Sequence, residues 1–250
     1  MSELLDILEA RAGIVCAVGA GGKKTTLYRL AAMHPGRVGV TATVPIARFP
    51  RTLPAEKVIA DVERLPRAVV DAAARHRRIA FALPEVKKAR YGGLPGEILR
   101  GIRESAGFDC LLVKADGARM RWIKAPNDSE PLIPAGATTV IPVISARAIG
   151  EPLTDQIAHR PSKVEAVTGA GIGEPLSTTH VARLLASPDG ALRNVGDAMV
   201  VPILNMVDSH VVRAVAERAA RQALDLTDRF DRVVLTSAER SNPLVQVITR

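Results

Sequence analysis

GIVCAVGAGGKKTTLYRLAA, residues 13–32, is the stretch whose reading decides the fold. Gly13–Val18 is a short, continuously apolar run, as expected of a strand buried on both faces. Leu27 onward, LYRLAA, carries the spacing of a helix. Between them lies Gly19-Ala20-Gly21-Gly22-Lys23-Lys24-Thr25-Thr26. A strand, a glycine loop and a helix in this order gather backbone N–H groups and a helix N-terminus around one anion. Glycines allow φ > 0 and close approach to phosphate. A lysine reaches the terminal phosphates, and a threonine hydroxyl holds Mg²⁺. The expected nucleotide-binding set is therefore Gly19, Gly21, Gly22, Lys23, Lys24, Thr25 and Thr26, with Thr25 also a metal ligand. The match to G-x-x-x-x-G-K-[ST] is inexact. With Lys23 as the phosphate lysine, Ala17 takes the first glycine position and Lys24 the hydroxyl position. With Lys24 in that role Thr25 fits, but Val18 and Lys23 stand where the glycines belong. Both assignments stay open at this point.

Outward from the loop, further apolar runs read as strands at about 37–42, 78–83, 109–115, 138–143, 198–204 and 231–236. Helical spacing fits about 25–33, 61–76, 95–106, 161–168, 178–186 and 209–224. The alternation predicts an α/β fold: a P-loop NTPase-like, mostly parallel sheet with helices on both faces. Residues 1–250 read as one domain, with a Pro-rich loop and a small helical insertion at about 117–197. IGEPLT (149–154) and IGEPLS (172–177) are read not as a repeat but as turns whose Thr or Ser caps the next helix.

Composition narrows the class. A 47% hydrophobic and 24% charged chain is an ordinary globular protein rather than a disordered one. No apolar run approaches the ~20 residues of a membrane span, and the acidic start MSELLDILEAR does not read as a signal peptide. The two cysteines, Cys16 and Cys110, sit in apolar runs as buried thiols. A cytoplasmic location follows as the expectation, with no membrane partner. The net charge of +8 invites a nucleic-acid reading, but the basic residues are spread along the chain. Aromatics make up only 3%, too few for stacking platforms, so nucleic acid is not the expected partner.

Other strand ends supply the remaining candidates. Asp116-Gly117 ends the run 109–115: an aspartate there can order Mg²⁺, and the glycine amide can reach a terminal phosphate. Thr41 and Thr43 end the second strand, and Thr43 is taken as a further metal hydroxyl. Asn205-Met206-Val207-Asp208 resembles the guanine-reading N-K-x-D motif of GTPases. Asp208 can accept from guanine N1–H and its 2-amino group, and Asn205 can fix the loop. Met206 stands at the lysine position. Thr236-Ser237-Ala238 falls where such proteins back the base, with Ser237 a candidate and Glu239 where a lysine often stands.

Taken together, VGAGGKKTTL (18–27), KADGARMRWIKAPNDSEPLIP (114–134), IGEPLTDQIAHRP (149–161), GEPLS (173–177), DGALR (189–193) and LNMVD (204–208) resemble the YqeC family. That resemblance implies an accessory factor in selenium cofactor biosynthesis, or in maturation of selenium-dependent molybdenum hydroxylases, which would be its partners. The loop and strand ends themselves point to Mg²⁺ with GTP or ATP as ligand, and the resemblance implies site residues Asp116, Gly117, Lys124, Glu130, His159 and Arg160. Lys124, Glu130, His159 and Arg160 are the catalytic candidates, placed to face the γ-phosphate or an acceptor. The chain departs from the family pattern at Lys24, Lys114, Ala42 and Met206. Three readings remain: a Mg-dependent NTPase or phosphoryl-transfer enzyme, a nucleotide-gated switch resembling dimeric metallochaperones, and a Mur-ligase-like or kinase-like enzyme. The second implies a homodimer.

Overall fold

The computed structural model describes residues 3–238 and 240–250. In chain order its first half comprises α1 (Glu3–Ile7), β1 (Gly13–Gly19), α2 (Lys23–Met33), β2 (Val38–Ala42), β3 (Ile46–Ala47), β4 (Glu56–Ile59), α3 (Leu65–Ala73), β5 (Arg78–Lys87), β6 (Arg90–Gly92), α4 (Glu97–Ala106) and β7 (Cys110–Lys114). The second half has β8 (Ile123–Lys124), β9 (Thr139–Ser145), a 3-10 turn at Ala146–Ala148, β10 (Ala158–His159), α5 (Pro161–Thr168), α6 (Thr178–Ala186), β11 (Met199–Val200), β12 (Ile203–Asn205), α7 (His210–Leu226), β13 (Arg232–Thr236) and β14 (Leu244–Thr249). Strand pairing is mostly parallel, and the protein is of the α/β class. Its contacts divide it into two compact units, one of Met1–Ala17, Lys24–Asp116 and Leu132–Thr139, the other of Val18–Lys23, Gly117–Pro131 and Val140–Arg250.

In the first unit β1, β7, β2 and β5 lie side by side in parallel, with β4 also parallel to β5. The outer half of β5 turns back through β6, which pairs antiparallel with β5 and β3. Every residue of β2 and β7 is buried, the pattern of strands covered on both faces. Helix α3 buries Leu65, Val69, Ala72 and Ala73, spaced to form one apolar stripe, and packs on β4, β5 and α4. Phe81 is fully buried and stacks on Phe108, ring centroids 6.2 Å apart. Burying a side chain of that size contributes about 2–3 kcal/mol. Cys16 and Cys110 are both buried free thiols, as the sequence suggested.

In the second unit β9, β12 and β13 are parallel and β14 closes the edge antiparallel to β13. Helix α7 turns a stripe of small residues inward, Ala216, Ala219, Ala220 and Ala223 with Leu224, and packs on α6, β13 and β14. The strand expected at 198–204 is in fact two. Pro202 lacks the N–H a ladder needs, and β11 ends at Val200 before β12 begins at Ile203. The helix expected at 61–76 is confined to Leu65–Ala73.

The two similar hexapeptides pair with each other. Gly150 N–H donates to Leu176 O, Leu176 N–H to Glu151 O and Leu153 N–H to Glu174 O. Ser177 does cap α6, through a box with His180. Thr154 does not cap α5: that helix starts at Pro161, whose fixed φ suits a first turn, with Arg160 as N-cap. Among the described residues no helix is long and apolar enough to cross a membrane.

Candidate functional site

The phosphate-type loop belongs to the second unit, and its shape is fixed from three sides. Gly21 has φ +87°, and a Cβ there would lie 2.4 Å from Ser145 N. Gly22 has φ +129°, and a Cβ would lie 2.2 Å from the Asn205 side-chain nitrogen. Only glycine meets both the dihedral and the space at these positions. Backbone bonds hold the loop as well: Ala20 N–H donates to Val143 O at 2.7 Å, and Gly21 N–H to Arg121 O at 3.0 Å. Lys23 is buried and its ammonium donates to the Gly19 carbonyl. Lys23, the first residue of α2, is thus folded back over its own loop.

Asn205, the last residue of β12, is a strut. Its Nδ2 donates to Gly21 O at 2.8 Å, while its Oδ1 accepts from Thr236 Oγ1 at 2.9 Å. Both amide atoms are thereby committed at a residue that is 2% exposed. The strand ends of β12 and β13 and the glycine loop are thus tied into one hydrogen-bonded unit. Three residues on, Asp208 accepts from Ser237 Oγ at 2.6 Å and from Arg147 at 2.7 Å, on different oxygens. Met206 takes a left-handed backbone, φ +62°, and its sulfur lies 3.1 Å from Ser145 Oγ. Glu239 lies outside the described residues.

A second cluster in the same unit is assembled by the short β8–β10 pairing, which sets Lys124 beside His159. The buried Lys124 donates to Gly117 O at 2.7 Å and to Glu130 Oε2 at 2.8 Å. Arg160 donates to the same Glu130 oxygen at 2.7 Å. Burial pushes the Glu130 carboxyl up, but the hydrogen bonds from Arg160 and Lys124 outweigh it, and the group is drawn down to about 2. Burial, then the cations Arg160, Lys124 and Arg119, lower His159 to about 4, so its imidazole is neutral near pH 7. Arg160 adopts a left-handed backbone, φ +65°, at the start of α5. The four residues grouped from sequence as catalytic candidates therefore do lie together. Two cations face one carboxylate and a neutral imidazole, a set able to receive an anion and to move a proton.

In the first unit, Lys24 is half-buried, and burial followed by the nearby Arg90 charge lowers its affinity for a proton. Thr25 is exposed and Thr26 half-buried on the first turn of α2, while Asp116 is 1% exposed just beyond β7. Thr43 donates its hydroxyl proton to Leu132 O at 2.7 Å, which leaves its lone pairs for an acceptor role. Thr41 bonds Phe81 O and is structural. Lys114, at the position the family gives to glutamate, is buried and donates to Pro45 O at 3.4 Å. Among the described residues no three His, Cys, Asp or Glu side chains converge on a point.

Sequence reasoning did not single out Arg147, because no motif marks it. Its role depends on β9 lying beside β12, with Ser145 opposite Asn205, so that the residue two beyond β9 meets the residue three beyond β12.

The chain is similar to a protein of Escherichia coli (strain K12) that carries the name "Uncharacterized protein YqeC". They are 28% identical over 196 residues, covering 75% of this chain and 73% of the relative. The family model described as "YqeC protein" matches residues 15–162, a span that takes in the glycine loop, Asp116 and the Lys124–Arg160 cluster. With more than half its length so matched, the chain belongs to the YqeC family.

Proposed function

We propose that this protein binds a nucleoside triphosphate with Mg²⁺ and hydrolyses it or transfers its phosphoryl group. In this reading it serves as an accessory factor in selenium cofactor biosynthesis or in the maturation of selenium-dependent molybdenum hydroxylases. The observation that carries the nucleotide reading is the loop held by Asn205: a buried amide bonds Gly21 O, and Lys23 folds onto Gly19 O. A loop needing glycine at Gly21 and Gly22, braced from a neighbouring strand end, is built for backbone contact with an anion.

Lys23 leaves Gly19 O for the β- and γ-phosphates, and Lys24 adds a second positive charge at the start of α2. In this reading the Gly117 amide serves the same phosphates. Were Mg²⁺ to accompany the nucleotide, Asp116 and the Thr25 and Thr43 hydroxyls would be the protein oxygens to hold it, and it would supply neutralisation of phosphate charge. Lys124 fixes the Gly117 carbonyl and Glu130, and Glu130 in turn orients Arg160 toward an anionic acceptor. His159, neutral near pH 7, accepts a proton from that acceptor. The selenium and molybdenum context is the one the family resemblance implies, and an oxyanion acceptor suits the cationic cluster.

Calorimetric titration with β,γ-imido GTP and ATP, with and without Mg²⁺, tests the reading. Binding that needs Mg²⁺, is lost in Lys23→Ala and is weakened only several-fold in Lys24→Ala is the expected result. Binding of neither nucleotide refutes it.

A further inference from the structure

The carboxylate of Asp208 is held in a way that names its ligand. One oxygen accepts from the Ser237 hydroxyl at 2.6 Å, the other from the planar guanidinium of Arg147 at 2.7 Å. Arg147 stands on the 3-10 turn just past β9, its backbone N–H bonded to Ser145 Oγ at 3.2 Å. Its side chain is 42% exposed and that of Asp208 19%, so the pair is partly open to solvent. Asn205 offers no free polar atom here, since Gly21 and Thr236 take both.

We infer that Asp208 selects guanine, and that the Arg147 guanidinium is an internal stand-in for the base which a guanine nucleotide displaces. This rests on the nucleotide reading above and adds the base to it. The chemistry is specific. The N1–C2–N2 edge of guanine is itself a guanidine fragment, presenting in-plane N–H donors like those that Arg147 now supplies. A carboxylate has about four lone-pair directions, so it accepts both donors of guanine while keeping the Ser237 bond. Adenine presents the N1 lone pair at that edge and is repelled by the carboxylate. Hypoxanthine keeps N1–H but lacks the 2-amino group, and so makes half the contact. A rim ion pair of this exposure is weak, so its displacement by a base is inexpensive.

The test is calorimetric titration of the full chain and of Arg147→Ala, Asp208→Asn and Asp208→Ala with the β,γ-imido triphosphates of guanosine, inosine, adenosine and xanthosine. Melting curves confirm that each variant folds. The wild type should bind guanosine at least tenfold more tightly than adenosine, with inosine between. Arg147→Ala should tighten guanosine binding by about two- to fivefold, the factor an exposed ion pair represents, and leave adenosine unchanged. Asp208→Asn should shift preference toward xanthosine, whose 2-oxo group accepts from the new amide, and Asp208→Ala should lose discrimination. Equal affinity for guanosine and adenosine, unmoved by the variants, overturns the inference and leaves the nucleotide reading intact. Failure of all four nucleotides to bind overturns that reading, and the inference with it.

Discussion

Replacing Asn205 with alanine removes a brace whose energetic weight is legible in the structure. Asn205 is 2% exposed, and both of its hydrogen bonds run to groups at the same buried junction, Gly21 O and Thr236 Oγ1. Alanine deletes the two bonds and strands both partners away from water. Each stranded group costs about 1–3 kcal/mol, against the ~1 kcal/mol of an ordinary exchanged hydrogen bond. The carbonyl and hydroxyl together give a loss of about 3 kcal/mol. For a chain of this size 1 kcal/mol moves Tm by about 2–4 °C, so Asn205→Ala should melt about 6–12 °C lower. Thr236→Val, which removes one bond and keeps the volume, should cost about a third as much. Because both changes act on one network, the double variant should be less destabilised than the sum. Thermal melts by circular dichroism on the four proteins form the cycle. An Asn205→Ala protein melting within about 2 °C of wild type would refute the strut, since no such cost could then be stored there.

Two more outcomes follow from the cationic cluster. Lys124→Met leaves Glu130 facing Arg160 alone beside a vacated Gly117 carbonyl, and breaking a buried pair in this way should cost about 3–5 kcal/mol in urea unfolding. A loss under about 1 kcal/mol would show that Arg160 suffices to hold the carboxylate. Stability should also fall with acid in two windows. His159 has its folded pKa lowered from 6.5 to about 4, so its contribution is whole above pH 6.5 and drains away as pH falls toward 4. Glu130, lowered from 4.5 to about 2, adds its loss only below pH 4.5. Melting curves of His159→Gln should therefore stay flat between pH 6.5 and 4.5, where the wild type declines. A decline of equal size in both proteins would assign the effect elsewhere.

The central strands were open to sequence reading because burial on both faces leaves unbroken apolar runs, and β1, β2, β7, β9 and β13 fall within two residues of where those runs lie. Two-residue pairings such as β8 with β10 carry no pattern of their own, yet it is that pairing which brings Lys124 to His159, 35 positions away. Strand β14 was missed because LVQVIT is half-buried along most of its length, without the apolar alternation of a one-faced strand. In the candidate site, residue types at strand ends drew attention to Asn205, Asp208 and Ser237, which the fold does bring near one another. They were not enough to show that Asn205 faces the loop, since that depends on which strand lies next to which. Arg147 was invisible for the same reason: its meaning comes from a neighbour 61 positions along the chain.

The two native thiols bear on how motion in this protein can be watched. Cys16 and Cys110 are fully enclosed, and burial pushes both up, Cys110 to about 12, so neither is a thiolate near neutral pH. Maleimide and nitroxide reagents act on accessible thiolates and should pass over both in the folded chain. A single cysteine introduced at an exposed position, Val211 or Met120 for example, would then take up label alone. The natural sequence thus serves as its own cysteine-silent background, and a fluorophore or spin label can report on the loop at Gly19–Lys23 without first stripping any residue from the core.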